Sequence, residues 1–200
     1  MRIGIEINGV LRDTIGKIEQ TYQKFYIDKT EGVNDEDSFE YKMNLPVTSL
    51  NLKEHFEFQS DEELFSFLYE EFAMEIFGHA QSKEYSTFND LQEIYVKYRD
   101  DNELVVVSDE IGKSKPATLF FLSKFVCQLE KVKFYSNLTI NSMWDEIDIL
   151  LTSNPALLLD YPTNKIVVKY ETEYNKDIQI EHTITTIKEF DDKLKELLQC

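Results

Sequence analysis

Apolar and polar positions alternate at the start of the chain. Ile3, Ile5 and Ile7 are separated by Gly4 and Glu6, a period of two that predicts a strand over residues 2–7. The period then lengthens: Ile15, Ile18, Tyr22, Phe25 and Tyr26 recur at helical spacing, with Asp13 or Thr14 placed to cap. From 29 to 58 no period holds and Pro46 breaks any helix, a stretch long enough to mark the lead-in to an inserted subdomain. Ser60 with Glu63 has the form of a capping box. Beyond it, Leu64, Phe65, Leu68, Phe72 and Ile76 predict one amphipathic helix, and Phe88, Leu91, Ile94, Tyr95 and Tyr98 a second.

The second half returns to extended segments at 103–108, 131–135 and 146–152, the first two separated by a helix over about 116–129. Further extended segments are expected at 165–170 and 178–184, and a closing helix from 186 through Leu198. Unbroken apolar runs such as Leu104 to Val107 suit strands covered on both faces, and strands alternating with helices imply a parallel sheet. The expected fold is therefore α/β, a Rossmann-like parallel sheet flanked by helices with a small helical cap insertion. Residues 1–28 and 100–200 form the core domain in this reading, and 29–99 the cap.

Composition narrows the function classes. With 42% hydrophobic residues the 200-residue chain can bury a real core. A formal charge of −17 and a pI near 4.5 argue against gripping nucleic acid, which needs clustered cations. Cys127 and Cys200 do not make a disulfide framework, residues 1–7 lack the form of a signal peptide, and no apolar run is long enough to span a membrane. A cytoplasmic protein is expected. His55, His79 and His182 share no ligand spacing with the cysteines, so zinc is not expected. The acidic run at 34–40 lacks the ligand order of a calcium loop and reads as a solvated face.

Reactive groups of an open parallel sheet gather beyond the carboxyl ends of its strands. Three such ends carry polar residues: Glu6-Ile7-Asn8-Gly9, Ser108-Asp109, and Thr152-Ser153-Asn154-Pro155. With "EINGVLRDT" after the first strand, "LVVVS" ending at Ser108, "GKSKP" at 112–116 and "DILLTSNP" at 148–155, the chain resembles the haloacid dehalogenase-like superfamily. The resemblance is to its small 5'-nucleotidase-like branch with a helical cap.

The resemblance covers most of the chain and implies an Mg²⁺-dependent phosphatase site, yet the chemistry-bearing positions differ. Glu6 and Asn8 stand where the family motif has two aspartates, and Thr152 and Ser153 stand where it has an acidic metal-binding pair. Glu6 adds a methylene that displaces the nucleophilic oxygen, and misplacement on that scale costs about 10²-fold in rate. Asn8 cannot shuttle a proton, which forfeits roughly 10²–10⁴-fold. Thr152 and Ser153 offer neutral oxygens where a hard dication needs carboxylates.

The first expectation is thus a catalytically degenerate relative with a binding, structural or regulatory role. No cofactor is expected in it, and a protein partner or self-association is. Relatives of this kind look like proteins commonly carried by bacteriophages, which would place the chain in a larger assembly and in the host cytoplasm. One alternative is a working phosphatase of nucleoside monophosphates or other small phosphate esters. In it Glu6 acts as nucleophile or metal ligand, Asn8 lies in the remnant catalytic site, Gly9, Ser108, Lys113 and Lys115 hold the phosphate, Asp109 substitutes for a missing acid, and Mg²⁺ is the cofactor. Another is a phosphate or nucleotide binder without turnover. Plainer readings stand beside these: an Asn8-Gly9 turn, lysines flanking a helix that starts near Pro116, and an aromatic run at 56–77 that packs the insertion with rings to spare. Those spare rings, and Trp144, are candidate contacts for another protein.

Overall fold

The strands form where the apolar runs place them: β1 (Arg2–Glu6), β2 (Glu103–Ser108), β3 (Lys131–Phe134), β4 (Ile149–Thr152), β5 (Ile166–Tyr170) and β6 (His182–Ile184). In this computed structural model, which describes residues 1–27, 46–136 and 139–198, they make one six-stranded sheet in the order β3-β2-β1-β4-β5-β6. Every neighbouring pair is parallel. The fold is α/β, a Rossmann-like parallel sheet between helices. The acidic run at 34–40 and most of the unpatterned lead-in lie outside the described residues.

Alternation along the strands separates two cores. Ile3 and Ile5 of β1, Leu104 and Val106 of β2, and Ile149 and Leu151 of β4 face one side. There they meet α3 (Thr87–Tyr98), α4 (Ser114–Lys124) and α7 (Ile187–Leu198) through Leu91, Phe121 and Phe190. Val105, Val107, Leu150 and Val167 face the other side, against α5 (Ile140–Glu146) and α6 (Pro155–Leu159). The latter two helices are too short for the sequence pattern to announce. Trp144, a candidate contact residue from the sequence, is instead 93% buried in this second core with Tyr161 beside it.

The sequence pattern assigns helix α3 to the insertion. Leu91, Ile94 and Tyr95 put it on the sheet, beside α7.

The first helix, α1 (Thr14–Tyr22), leads into the inserted segment. Tyr22 packs edge-on or tilted against Phe56, Phe58 and Phe67, and these rings with Val47, Leu52, Ile76 and Ala117 form a third core over α1 and α4. Most of the aromatic run is therefore absorbed inside the chain, while Phe65, Met74 and Phe120 remain exposed.

The single helix expected over Leu64–Ile76 is broken into α2 (Asp61–Ser66) and two π-helical turns at Phe67–Glu71 and Met74–Gly78. The cause lies in the spacing of its largest rings. Phe67, Phe72 and Phe77 recur every five residues, which an α-helix would splay by roughly 140° per step. Five-residue turns, closed by Phe72 N–H to the Phe67 carbonyl at 3.2 Å and His79 N–H to the Met74 carbonyl at 3.1 Å, bring such positions round to one side. Phe67 and Phe72 then lie 5.1 Å apart.

Ser60 caps α2, its Oγ accepting from the Glu63 amide at 3.2 Å, while the Glu63 carboxylate accepts from the Gln59 amide at 2.5 Å. The box thus closes one residue earlier than its usual form. Replacing Ser60 with alanine should lower stability by about 1 kcal/mol, read as a reduced urea midpoint at unchanged slope.

Candidate functional site

The three polar strand ends meet at one edge of the sheet. Glu6 and Thr152 face the same side of adjacent strands, set by the register that pairs Ile5 with Leu151. The Thr152 hydroxyl donates to Glu6 Oε2 at 2.6 Å, and the Ser153 amide donates to the same oxygen at 2.9 Å. The Asn154 amide is a further backbone donor to this carboxylate. Burial, and next the charge of Asp109, raise the Glu6 carboxyl to about 7 against an opposing pull from these hydrogen bonds.

Beyond β1 the chain turns back on itself, with the Arg12 amide donating to the Ile7 carbonyl at 2.9 Å. Asn8 hangs in this turn. Its amide donates to Asp109 Oδ1 at 3.1 Å, and its side-chain oxygen accepts from Arg12 at 2.6 Å and Thr14 at 2.7 Å. Gly9 sits at φ +75°, where an added Cβ would run into the Tyr174 hydroxyl and Ser153 Oγ. Only glycine fits both the conformation and the space. The Ser153 hydroxyl donates to the Asn8 carbonyl at 3.0 Å and accepts from Tyr174 at 2.8 Å. Asn175 secures this approach by donating to the Ser153 and Tyr170 carbonyls at 2.8 and 2.9 Å. Burial pushes the Tyr174 hydroxyl up to about 12, so it stays a donor.

A cavity of about 180 Å³ opens above this floor. Glu6, Asn8, Gly9, Asp109, Ser153, Asn154 and Tyr174 line its polar side, and Ile15, Ile18, Leu50, Leu52, Leu68, Tyr69 and Phe77 its apolar side. Among the described residues no lysine, arginine or histidine lines it. Lys113 lies 3.5 Å from the Glu70 carbonyl, and Lys115 sits over the Phe134 ring, 5.3 Å from its centroid. Ser108 is buried, accepts from the Glu110 amide at 3.2 Å, and borders a separate crevice of about 10 Å³ with Glu6 and Tyr135. Asp148 is at the opposite end of its strand, bonded to the Arg2 amide and Lys165.

Beneath the cavity lies a buried ion pair that the sequence pattern did not reveal. Arg12 is fully buried, paired with Glu110, and donates to Thr118 at 2.8 Å and to the Phe77 carbonyl at 2.7 Å. Its guanidinium carbon is 5.0 Å from the Phe77 ring centroid and 5.2 Å from that of Phe121. This group joins the β1 turn, the segment after β2, α4 and the inserted segment. Asp13 N–H to the Gln81 carbonyl at 3.0 Å and Lys83 N–H to the Leu11 carbonyl at 2.9 Å tie the same root.

No family model matches the chain, and no curated protein matches its sequence. Among solved structures, a protein of Burkholderia xenovorans LB400 described as a haloacid dehalogenase-like hydrolase is similar, with a TM-score of 0.53 at 11% identity, over 98% of this chain and 97% of that one. The fold is haloacid dehalogenase-like. Within that fold, chemistry still has to be argued from the residues at the strand ends.

A haloacid dehalogenase-like phosphatase site implies Mg²⁺, which is held by oxygen lone pairs, chiefly those of carboxylates. Here Glu6 Oε2 already accepts two hydrogen bonds, the Asn8 carbonyl accepts one from Ser153, and Asp109 Oδ1 accepts one from Asn8. Among the described residues no three His, Cys, Asp or Glu side chains cluster as a metal site. Glu6 and Asp109 are the only carboxylates that line the described pocket, and the neutral Thr152 and Ser153 stand where further acidic ligands would, so the donor set lacks the charge the ion needs. No helix of the described residues is long and apolar enough to cross a membrane.

Proposed function

We infer that the chain is a catalytically degenerate haloacid dehalogenase-like protein whose pocket binds without hydrolysing phosphate esters. The observation that carries this reading is the hydroxyl pair of Thr152 and Ser153. Their protons go to Glu6 and to the Asn8 carbonyl, filling with neutral donors the space between β1 and β4. Phosphoryl transfer needs a free carboxylate aimed at phosphorus and positive charge around the departing oxygens. Glu6 is half-neutral near pH 7 and held from the side, and the described pocket offers carboxylates in place of cations. No resident metal belongs to this reading. Its binding role extends to protein partners or self-association, supported by the exposed Leu119 and Phe120 on α4 and Met74 on the inserted segment.

The second reading is a phosphoric monoester hydrolase with Glu6 as nucleophile. What favours it is a carboxyl titrating near neutrality in a cleft, a common mark of active sites. One assay separates the two: phosphate release from p-nitrophenyl phosphate and a panel of nucleoside monophosphates, with Mg²⁺ added, by the protein and by Glu6→Ala. Equal background from both is expected. Release that depends on Glu6 overturns the degenerate reading.

A further inference from the structure

We propose that the pocket takes a small primary ammonium compound with a short apolar body, in place of a phosphate ester. The proposal rests on the non-hydrolysing reading and assigns the ligand of that same cavity.

Charge decides the class. The described lining carries Glu6 and Asp109 and no cation, while Arg12, the positive group of this region, is fully buried in its pair with Glu110 and does not reach the cavity wall. Among the described residues, a dianion entering here meets carboxylates and no cation on the cavity wall, whereas an ammonium meets opposite charge. Glu6 is built for such a ligand. It is 95% buried, with its Oε2 fixed by Thr152 and Ser153 and the Asn154 amide a further backbone donor to the carboxylate. An ammonium between Glu6 and Asp109 adds a charged donor to the neutral ones and separates two carboxyls that repel each other.

The opposite wall fixes the rest of the ligand. Tyr69 and Phe77 stack with ring centroids 5.7 Å apart and planes 11° from parallel, and both line the cavity. Phe77 is already stacked on Tyr69 and lies under the Arg12 guanidinium, so these rings serve to pack the ligand's alkyl body. Ile18 and Leu68 complete an apolar surface for a short chain. A volume of about 180 Å³ is the space of roughly six waters, enough for an alkyl amine.

The test compares n-butylammonium with n-butyl phosphate and n-butanol on the intact protein, by calorimetric titration and thermal shift at low, sodium-matched ionic strength. Butylammonium should bind with millimolar or better affinity and raise the melting temperature, and the phosphate should do neither. Glu6→Gln and Asp109→Asn should each weaken ammonium binding at least tenfold, while Asp100→Asn, at the far end of the sheet, leaves it unchanged. Butyl phosphate binding in preference to the ammonium overturns the proposal. So does an ammonium response equal in Glu6→Gln, which is attraction to net charge alone, or a Glu6-dependent shift with Mg²⁺ alone. Failure to bind any probe also overturns it. The absence of hydrolysis is judged separately, by the phosphate-release assay.

Discussion

Replacing Arg12 with methionine should cost about 3–5 kcal/mol of folding stability, the range found when one partner of a buried ion pair is removed. The methionine fills much of the same volume between Phe77 and Phe121, so little of the loss comes from a cavity. The loss comes from Glu110, 1% exposed, which keeps Thr118 as a donor but loses its charge partner. Burial already raises the Glu110 pKa, and Arg12 is the first influence pulling it back. Without the guanidinium the carboxyl is protonated on folding or bears its desolvation unaided. The Phe77 carbonyl, which accepts from Arg12 at 2.7 Å, also loses its tie to the β1 turn.

Urea unfolding of Arg12→Met, Glu110→Met and the double variant measures this. The double variant should recover at least half of the loss seen in Arg12→Met, because it removes the stranded charge. Losses that simply add across the two sites would refute the pairing, and a loss below about 1 kcal/mol in Arg12→Met would show the arginine to be dispensable.

The contrast between this pair and the sheet shows what a one-dimensional pattern can carry. Strands such as Leu104–Val107 are legible because burial on both faces demands an unbroken apolar run, and that demand is local. The strand ends are legible for the same reason, since polar residues just beyond an apolar run mark the exposed edge of the sheet. Glu6, Asn8, Asp109, Thr152 and Ser153 could therefore be named together from sequence. Arg12 could not: in "GVLRDT" it reads as a turn residue, and its partners Phe77, Glu110 and Thr118 are 65, 98 and 106 positions away.

Tyr174 is another such case, reaching Ser153 from a loop after β5 that carries no periodic signal. The lysines of "GKSKP" mislead in the opposite direction. Helix α4 starts where Pro116 suggests, but its first turn directs Lys113 to the Glu70 carbonyl and Lys115 to the Phe134 ring. Local sequence places the helix start, and only the packing of α4 against the inserted segment fixes which way its side chains leave it.

Glu6→Gln should make stability less dependent on pH between about 4.5 and 7, with the variant the more stable form above that window. The folded-state carboxyl titrates at about 7 against the ordinary glutamate value of 4.5, so between these values the folded protein holds a proton that the unfolded chain has released. Glu6 therefore contributes its full stability below about 4.5 and loses it as pH rises through 7. The loss approaches about 3 kcal/mol for a shift of this size. Glutamine keeps an acceptor for the Thr152 hydroxyl and the Ser153 amide while removing the charge that burial and Asp109 oppose. Urea unfolding at about pH 5 and pH 8 should give similar stabilities for the two proteins at the lower pH and a gap of about 2–3 kcal/mol at the higher. A constant gap would mean that Glu6 is ionised throughout and held by an unrecognised donor. The same titration bears on binding: an ammonium ligand favours the ionised carboxyl, so its affinity should rise with pH through about 7 in the protein and stay flat in Glu6→Gln.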